Sequence, residues 1–224
     1  LICELTSTFN PESFVYTPSQ FEESRPEVLQ QMLHDHPLGL LITHGASGLD
    51  ANPVPFMWFA EPGSPGVLRG HVARANPLWR DARAEVLAVF QGPQVYVTPS
   101  WYATKAETGK VVPTWNYVTV QARGRLQAHD DPAWLRAFLA QLTARHEAPR
   151  DAPWAIDDAP ADYIDKQLRA IVGIEISLSS LSGKWKVSQN RPAADREGVV
   201  RGLTAQGGDN ALACAQWVRA ATPT

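Results

Sequence analysis

The sequence predicts a mainly antiparallel β-barrel with helical additions. Short stretches of strand length alternate or run apolar, and most are joined by Gly/Pro turns. Helical patterns stand before, between and after these stretches, not one per strand as a parallel βαβ sheet requires. The 224 residues are 44% hydrophobic and 19% charged, enough to form a sizeable core.

Taken in order, Leu1–Phe14 has no clear period and reads as an N-terminal extension. Ser24-Arg25-Pro26-Glu27 fits a capping box, followed by Val28, Leu29, Met32 and Leu33 at helical spacing. Pro37 should stop that helix near His36. Residues 38–44 read as a strand, and Gly45–Gly48 as a turn. A second strand spans 49–59, where Pro53 and Pro55 predict an edge or a bulge. Val67-Leu68-Arg69 opens the next strand, and Asn76-Pro77 starts a short helix to about Ala84, with Asn76 as the cap.

Val86–Phe90 reads as a buried strand, turned by Gly92-Pro93 into a further strand over 94–98. Residues 99–113 read as a loop. Trp115–His129 is a long alternating strand, with Gly124 an expected bulge. Asp131-Pro132 starts a helix with Trp134, Leu135, Phe138, Leu139 and Leu142 on one face. A connector rich in proline and aspartate follows over 148–160, then a short helix over 163–169. The last strand spans 171–181, and Gly183 opens the polar-aromatic run to Arg191. A terminal helical region carries Leu212, Cys214 and Val218 as apolar positions. The expected organisation is an extension over 1–15, a domain over 16–204 and a helical tail over 205–224.

The net charge of −3 argues against a generic nucleic-acid surface. Cys3 and Cys214 make no disulfide framework, which fits a reducing compartment. No stretch has the length of a membrane span and no signal peptide is evident, so a cytoplasmic protein without membrane contact is expected. The chain lacks a G-x-G-x-x-G after a strand, a phosphate-binding P-loop and a G-x-S-x-G elbow. His34 and His36 precede Pro37 without an evident third ligand, so no metal site is expected.

Three polar-aromatic clusters remain: Gly70–Trp79, residues 99–102 with 113–117, and Lys184–Arg191. Rings that stack, amides that read ring edges and cations that hold phosphate suit a flat, polar-edged anion. Around Gly70–Trp79 the strand-to-helix junction offers backbone N–H groups as well. Read locally, each cluster also fits a plain structural role: a capping Asn76 with a solvated Arg74 and a satisfied His71, a packed Trp loop and a solvated basic strand end.

The blocks LRGHVARANPLW, VFQGPQVYVTPSWY, VPTWNY, IVGIEI and GKWKVSQNR, in that order, resemble the PaiB family of FMN-binding negative transcriptional regulators. The resemblance runs from about residue 16 to about residue 202. It implies the FMN-binding split barrel, an antiparallel barrel with flanking helices in which two chains pair and FMN lies at their interface. By approximate register it implies a phosphate end at His71, Arg74 and Asn76, with Asn52 on the preceding strand. At Asn52 this chain departs from the family, which often has a histidine there. Trp115, Asn116 and Tyr117 would border the flavin ring, and Lys186, Gln189, Asn190 and Arg191 would reach the partner's flavin.

The resemblance implies a cytoplasmic homodimeric regulator. An FMN-dependent oxidoreductase using the same pocket is the alternative. Haem or another flat anion, with His71 or His129 as ligand, is a third. No residue declares itself a catalytic acid or base, and direct contact with nucleic acid has no support in the sequence.

Overall fold

The structure is a computed structural model that describes residues 16–45, 48–81 and 85–221. The N-terminal extension, Cys3, Ala46-Ser47 and the expected helix end at 82–84 lie outside the described residues.

After a 3-10 turn at Ser19–Phe21 come β1 (Glu22–Glu23) and α1 (Pro26–Asp35). The expected capping box does not form. Pro26 is the first helical residue, so Ser24 sits one position too early to cap. Glu23 does the local work, accepting from the Arg25 backbone N–H at 3.0 Å and the Arg25 Nε at 2.9 Å.

Next come β2 (Leu38–Gly45), β3 (Gly48–Pro55) and β4 (Met57–Phe59). The two prolines act as expected: β3 is an edge strand, and the strand breaks at Phe56, whose N–H turns to Pro37 O at 2.8 Å. β5 (Val67–Ala73) leads into a 3-10 turn at Pro77–Asp81. β6 runs unbroken over Glu85–Val97, which corrects the expected turn at Gly92-Pro93. Gly92 is not among the glycines with positive φ, and a proline φ near −65° is compatible with an extended chain.

Residues 99–113 are not all loop, since α2 occupies Thr104–Thr108. β7 (Thr114–His129), α3 (Pro132–Glu147), α4 (Ala161–Arg169), β8 (Ile171–Lys186), α5 (Ala193–Gln206) and α6 (Asp209–Ala220) complete the chain. Asp131 caps α3 as its sequence signature requires, accepting from Ala133 N at 3.0 Å. β8 extends five residues past the expected end and takes in the first half of the polar-aromatic run.

Among the described residues the eight strands form one mostly antiparallel sheet, β3-β2-β6-β7-β8-β5-β4, with β1 on β8. The path does not close into a ladder. β3 instead meets β5 through side chains: a Cβ on Gly70 would sit 2.9 Å from Val54 Cγ1.

The chain divides into two compact units interleaved in sequence. One comprises Gln30–Phe90 and Gln121–Leu181. Leu41, Val54, Phe56, Leu68, Phe90, Leu126, Ile174 and Ile176 are buried in its core. α3 and α4 enclose a smaller cluster of Leu135, Ile156, Ile164 and Leu168. The other unit comprises the chain to Leu29, Gln91–Val120 and Ser182 onward. Its α5 and α6 bury Val199, Leu203, Cys214 and Val218, whereas Leu212, also read as an apolar position, is exposed.

Candidate functional site

In the unit built on β5, alternation decides which side chains are available. Leu68, Gly70 and Val72 face the buried core, so Arg69 and His71 face the other way. That face is covered by α3. The His71 ring lies edge-on to Phe138 with centroids 6.4 Å apart, and its Nδ1 is buried without a hydrogen-bond partner among the described residues. Burial pushes the His71 pKa below the usual imidazole value.

Beside it, Arg69 Nε donates to Glu175 Oε2 at 2.8 Å. Its guanidinium lies 4.6 Å over the Phe59 ring. His129 stacks flat on Trp134 at 4.4 Å, with its Nε2 3.8 Å from Glu175 Oε1. Glu175 and Trp134 organise this face, and neither stood out in the sequence as a site residue; their partners are distant in the chain.

Beyond β5 the chain turns sharply, with Asn76 N–H donating to Ala73 O at 2.8 Å. The Asn76 side chain accepts from Leu78 N–H at 3.0 Å, and its Nδ2 donates to Asn52 Oδ1 at 2.8 Å. The structure thus brings together Asn76 and Asn52, the position where the family often has histidine. Asn52 Nδ2 in turn donates to Asp50 Oδ2 at 3.0 Å.

Arg74 is heavily engaged. Its Nη1 and Nη2 fork onto the two oxygens of Asp130, the former at 2.8 Å. Nε donates to Arg169 O at 2.7 Å and Nη2 to Ile171 O at 3.0 Å. Four of its five N–H donors therefore hold the loop, two to Asp130 and two to the carbonyls of Arg169 and Ile171. The guanidinium holds the Asp130 carboxyl below the usual range.

The remaining expected residues belong to the other unit. Trp115 is 53% exposed and meets the 46% exposed Tyr96 edge-on at 6.2 Å, an open aromatic shelf. Asn116 is buried and exchanges hydrogen bonds with the Ser188 hydroxyl, 2.9 Å as donor and 3.2 Å as acceptor. Ser188 has φ +64°, the only non-glycine in the left-handed region among the described residues. Gln189 is also buried, and its side chain folds back to accept from Val187 N–H at 2.8 Å and donate to Trp185 O.

These bonds fix the turn that presents Asn190, which is exposed, and Arg191. Lys186 Nζ donates to Trp115 O at 2.7 Å and to Thr114 Oγ1. The Arg191 guanidinium lies 4.8 Å over the buried Tyr102 ring and forms no ion pair among the described residues. The Tyr102 hydroxyl is buried; burial raises its pKa, against the pull of Arg191. Ser188 and Tyr102 were inside the runs singled out by sequence, but a left-handed turn and a buried hydroxyl leave no local signal.

Residues 15–180 match the family described as "Putative FMN-binding domain". The chain belongs to this family. FMN is accordingly its cofactor, and the resemblance to the PaiB family holds. An uncharacterized protein of Emericella nidulans is 34% identical, over 92% of this chain and 96% of that protein. Protease synthase and sporulation protein PAI 2 of Bacillus subtilis is 28% identical, over 90% of this chain and 95% of that protein. The FAD and heme binding protein from Mycobacterium smegmatis superposes with a TM-score of 0.55 at 19% identity, covering 84% of this chain and 80% of that chain. That likeness shows the split-barrel fold.

The donor chemistry fits such a cofactor. Trp115 and Tyr96 offer exposed faces to a flat ring, and Asn190 an exposed amide. Arg191 is a cation that no carboxylate neutralises among the described residues, as a phosphate partner needs. Among the described residues no group of three His, Cys, Asp or Glu side chains could hold a metal ion.

Proposed function

We propose that this chain is an FMN-binding regulator of the PaiB type, which works as a homodimer with FMN shared between two copies. The observation that carries the reading is the match to the FMN-binding family over residues 15–180. The arrangement of side chains supports binding above proton chemistry. His71 is packed under α3 and Arg74 is spent on Asp130 and two carbonyls, so neither is poised as an acid or base.

Bound FMN would supply reversible electron chemistry, and the protein supplies its binding and surroundings. In this proposal Arg191 holds the phosphate, Trp115 flanks the ring, and Asn190 reads a polar edge. Asn52 and Asn76 shape the loop after β5, and Arg74 keeps that loop in place. Lys186, Asn116 and Gln189 set the geometry of the turn that carries Asn190 and Arg191.

The test is FMN affinity from quenching of flavin fluorescence. Arg191→Ala should weaken binding by about 1.5–3 kcal/mol, the range for a hydrogen bond to a charged group. Arg74→Ala should weaken it less and lower the melting temperature too. Equal affinity of Arg191→Ala and the unaltered chain would remove Arg191 from the site. Anaerobic mixing with NADH or NADPH separates regulator from oxidoreductase. The proposal expects no sustained turnover, and steady flavin bleaching would move the protein to the enzyme reading.

A further inference from the structure

Asp195 is a carboxylate that is 1% exposed, in the first turn of α5. Both of its oxygens go to another element. Oδ1 accepts from the Thr104 backbone N–H at 2.9 Å, and Oδ2 from the Thr104 hydroxyl at 2.8 Å. Thr104 is the first residue of α2, and the cap position before it holds Ala103, whose side chain has no acceptor. Asp195 therefore supplies, from 91 positions away, the acceptor that a capping residue gives locally.

Gly198 and Gly202 continue the same face of α5, three and seven residues on. A Cβ on Gly198 would run into Trp101 O, and one on Gly202 into the Trp101 ring. The helix backbone thus rests directly on Trp101. Between Trp101 and Thr104 stands Tyr102, whose N–H donates to Pro99 O at 3.1 Å. Its ring is 3% exposed and lies 4.8 Å under the Arg191 guanidinium. Burial raises the Tyr102 pKa most; the Arg191 charge lowers it and the Asp195 charge raises it, so both charges act on this phenol.

Arg191 itself stands immediately before α5, because Pro192 is the cap of that helix. One helix therefore carries the cation at its start and grips the segment that places the ring beneath it. An arginine side chain has many rotamers. A fixed ring under its guanidinium removes most of them before a phosphate arrives, which lowers the cost of binding.

We infer that Asp195 is a positioning residue of the phosphate site. By holding Thr104 it fixes the Tyr102 ring, and that ring aims Arg191 at the phosphate of FMN. The inference rests on the reading that Arg191 holds this phosphate.

Riboflavin is FMN without its phosphate, so fluorescence titration of the full chain with both flavins isolates that contact. Asp195→Ala should weaken FMN about tenfold and leave riboflavin within about twofold. Asp195→Asn can still accept from the Thr104 N–H and pair with its hydroxyl, and should regain most of that loss. In an Arg191→Ala background, Asp195→Ala should cost no further FMN affinity, because it acts through Arg191. Should Asp195→Ala fail to fold, Thr104→Val, which keeps the N–H and loses the hydroxyl, should weaken FMN about threefold with riboflavin unchanged. Equal losses for the two flavins, unchanged FMN affinity in the folded variant, no recovery in Asp195→Asn, or a full further loss in the Arg191→Ala background would each overturn the inference. Arg191→Ala binding FMN as the unaltered chain does would overturn the phosphate reading, and this inference with it.

Discussion

Asn76 shows how one side chain can carry both a local and a distant task. It caps the turn at Leu78 and reaches Asn52 on β3. Losing a cap costs about 1 kcal/mol. Asn76→Ala should therefore lower the melting temperature by about 2–4 °C in a chain of this size, read by circular dichroism. The cap was legible in the sequence because Asn-Pro is a local signal. The Asn52 bond was not, because it joins residues 24 positions apart. Arg74 is the sharper case. Locally it is an arginine at a helix start, which suits phosphate; in the fold it meets Asp130, 56 residues on.

His71 makes a pH prediction. Burial holds its folded pKa below the unfolded value of about 6.5. Between those two values the unfolded chain binds the extra proton, so stability rises with pH there. The contribution of His71 is complete above about pH 6.5 and is lost as pH falls towards the folded pKa. Urea unfolding across this window should show that slope, and His71→Phe should flatten it. An unchanged slope in the variant would assign the effect to another group.

Among the elements, the strands were legible wherever a period of two survived. β2, β5, β7 and the first part of β8 fall close to their expected bounds. β6 was not legible as one strand because Gly-Pro is a turn signal only when φ and the partner strands agree. Gly124 was expected to mark a bulge, and the structure gives it a different task. A Cβ there would sit 2.2 Å from Ser177 O, so β7 and β8 approach too closely for any side chain. Gly124→Ala should cost about 1–3 kcal/mol, the range for overpacking. Gly48 has φ +100° and open space around it, so Gly48→Ala should cost only the backbone strain, about 1 kcal/mol. Comparing both in urea separates close packing from backbone conformation; equal costs would contradict the contact.

For the whole molecule, the barrel could be read from many short strands without strand-by-strand helices, and the ordered blocks led to the family. The division into interleaved units could not be read, because each unit is assembled from distant segments. The same holds for Cys214, an apolar position in sequence and a buried thiol in the fold. Burial pushes its pKa up to about 11, so little thiolate forms near neutral pH. Thiol labelling of the native protein should leave Cys214 unmodified, and labelling should follow unfolding.

The central claim is that the chain holds FMN through the turn ending in Arg191, in a site completed by a second copy. The most direct measurement is FMN titration of the purified protein at rising protein concentration, with light scattering on the same samples. The account predicts one FMN per chain, binding that appears with the dimer, and loss of most affinity in Arg191→Ala. A stable monomer that binds FMN fully, with Arg191→Ala unaffected, would contradict it.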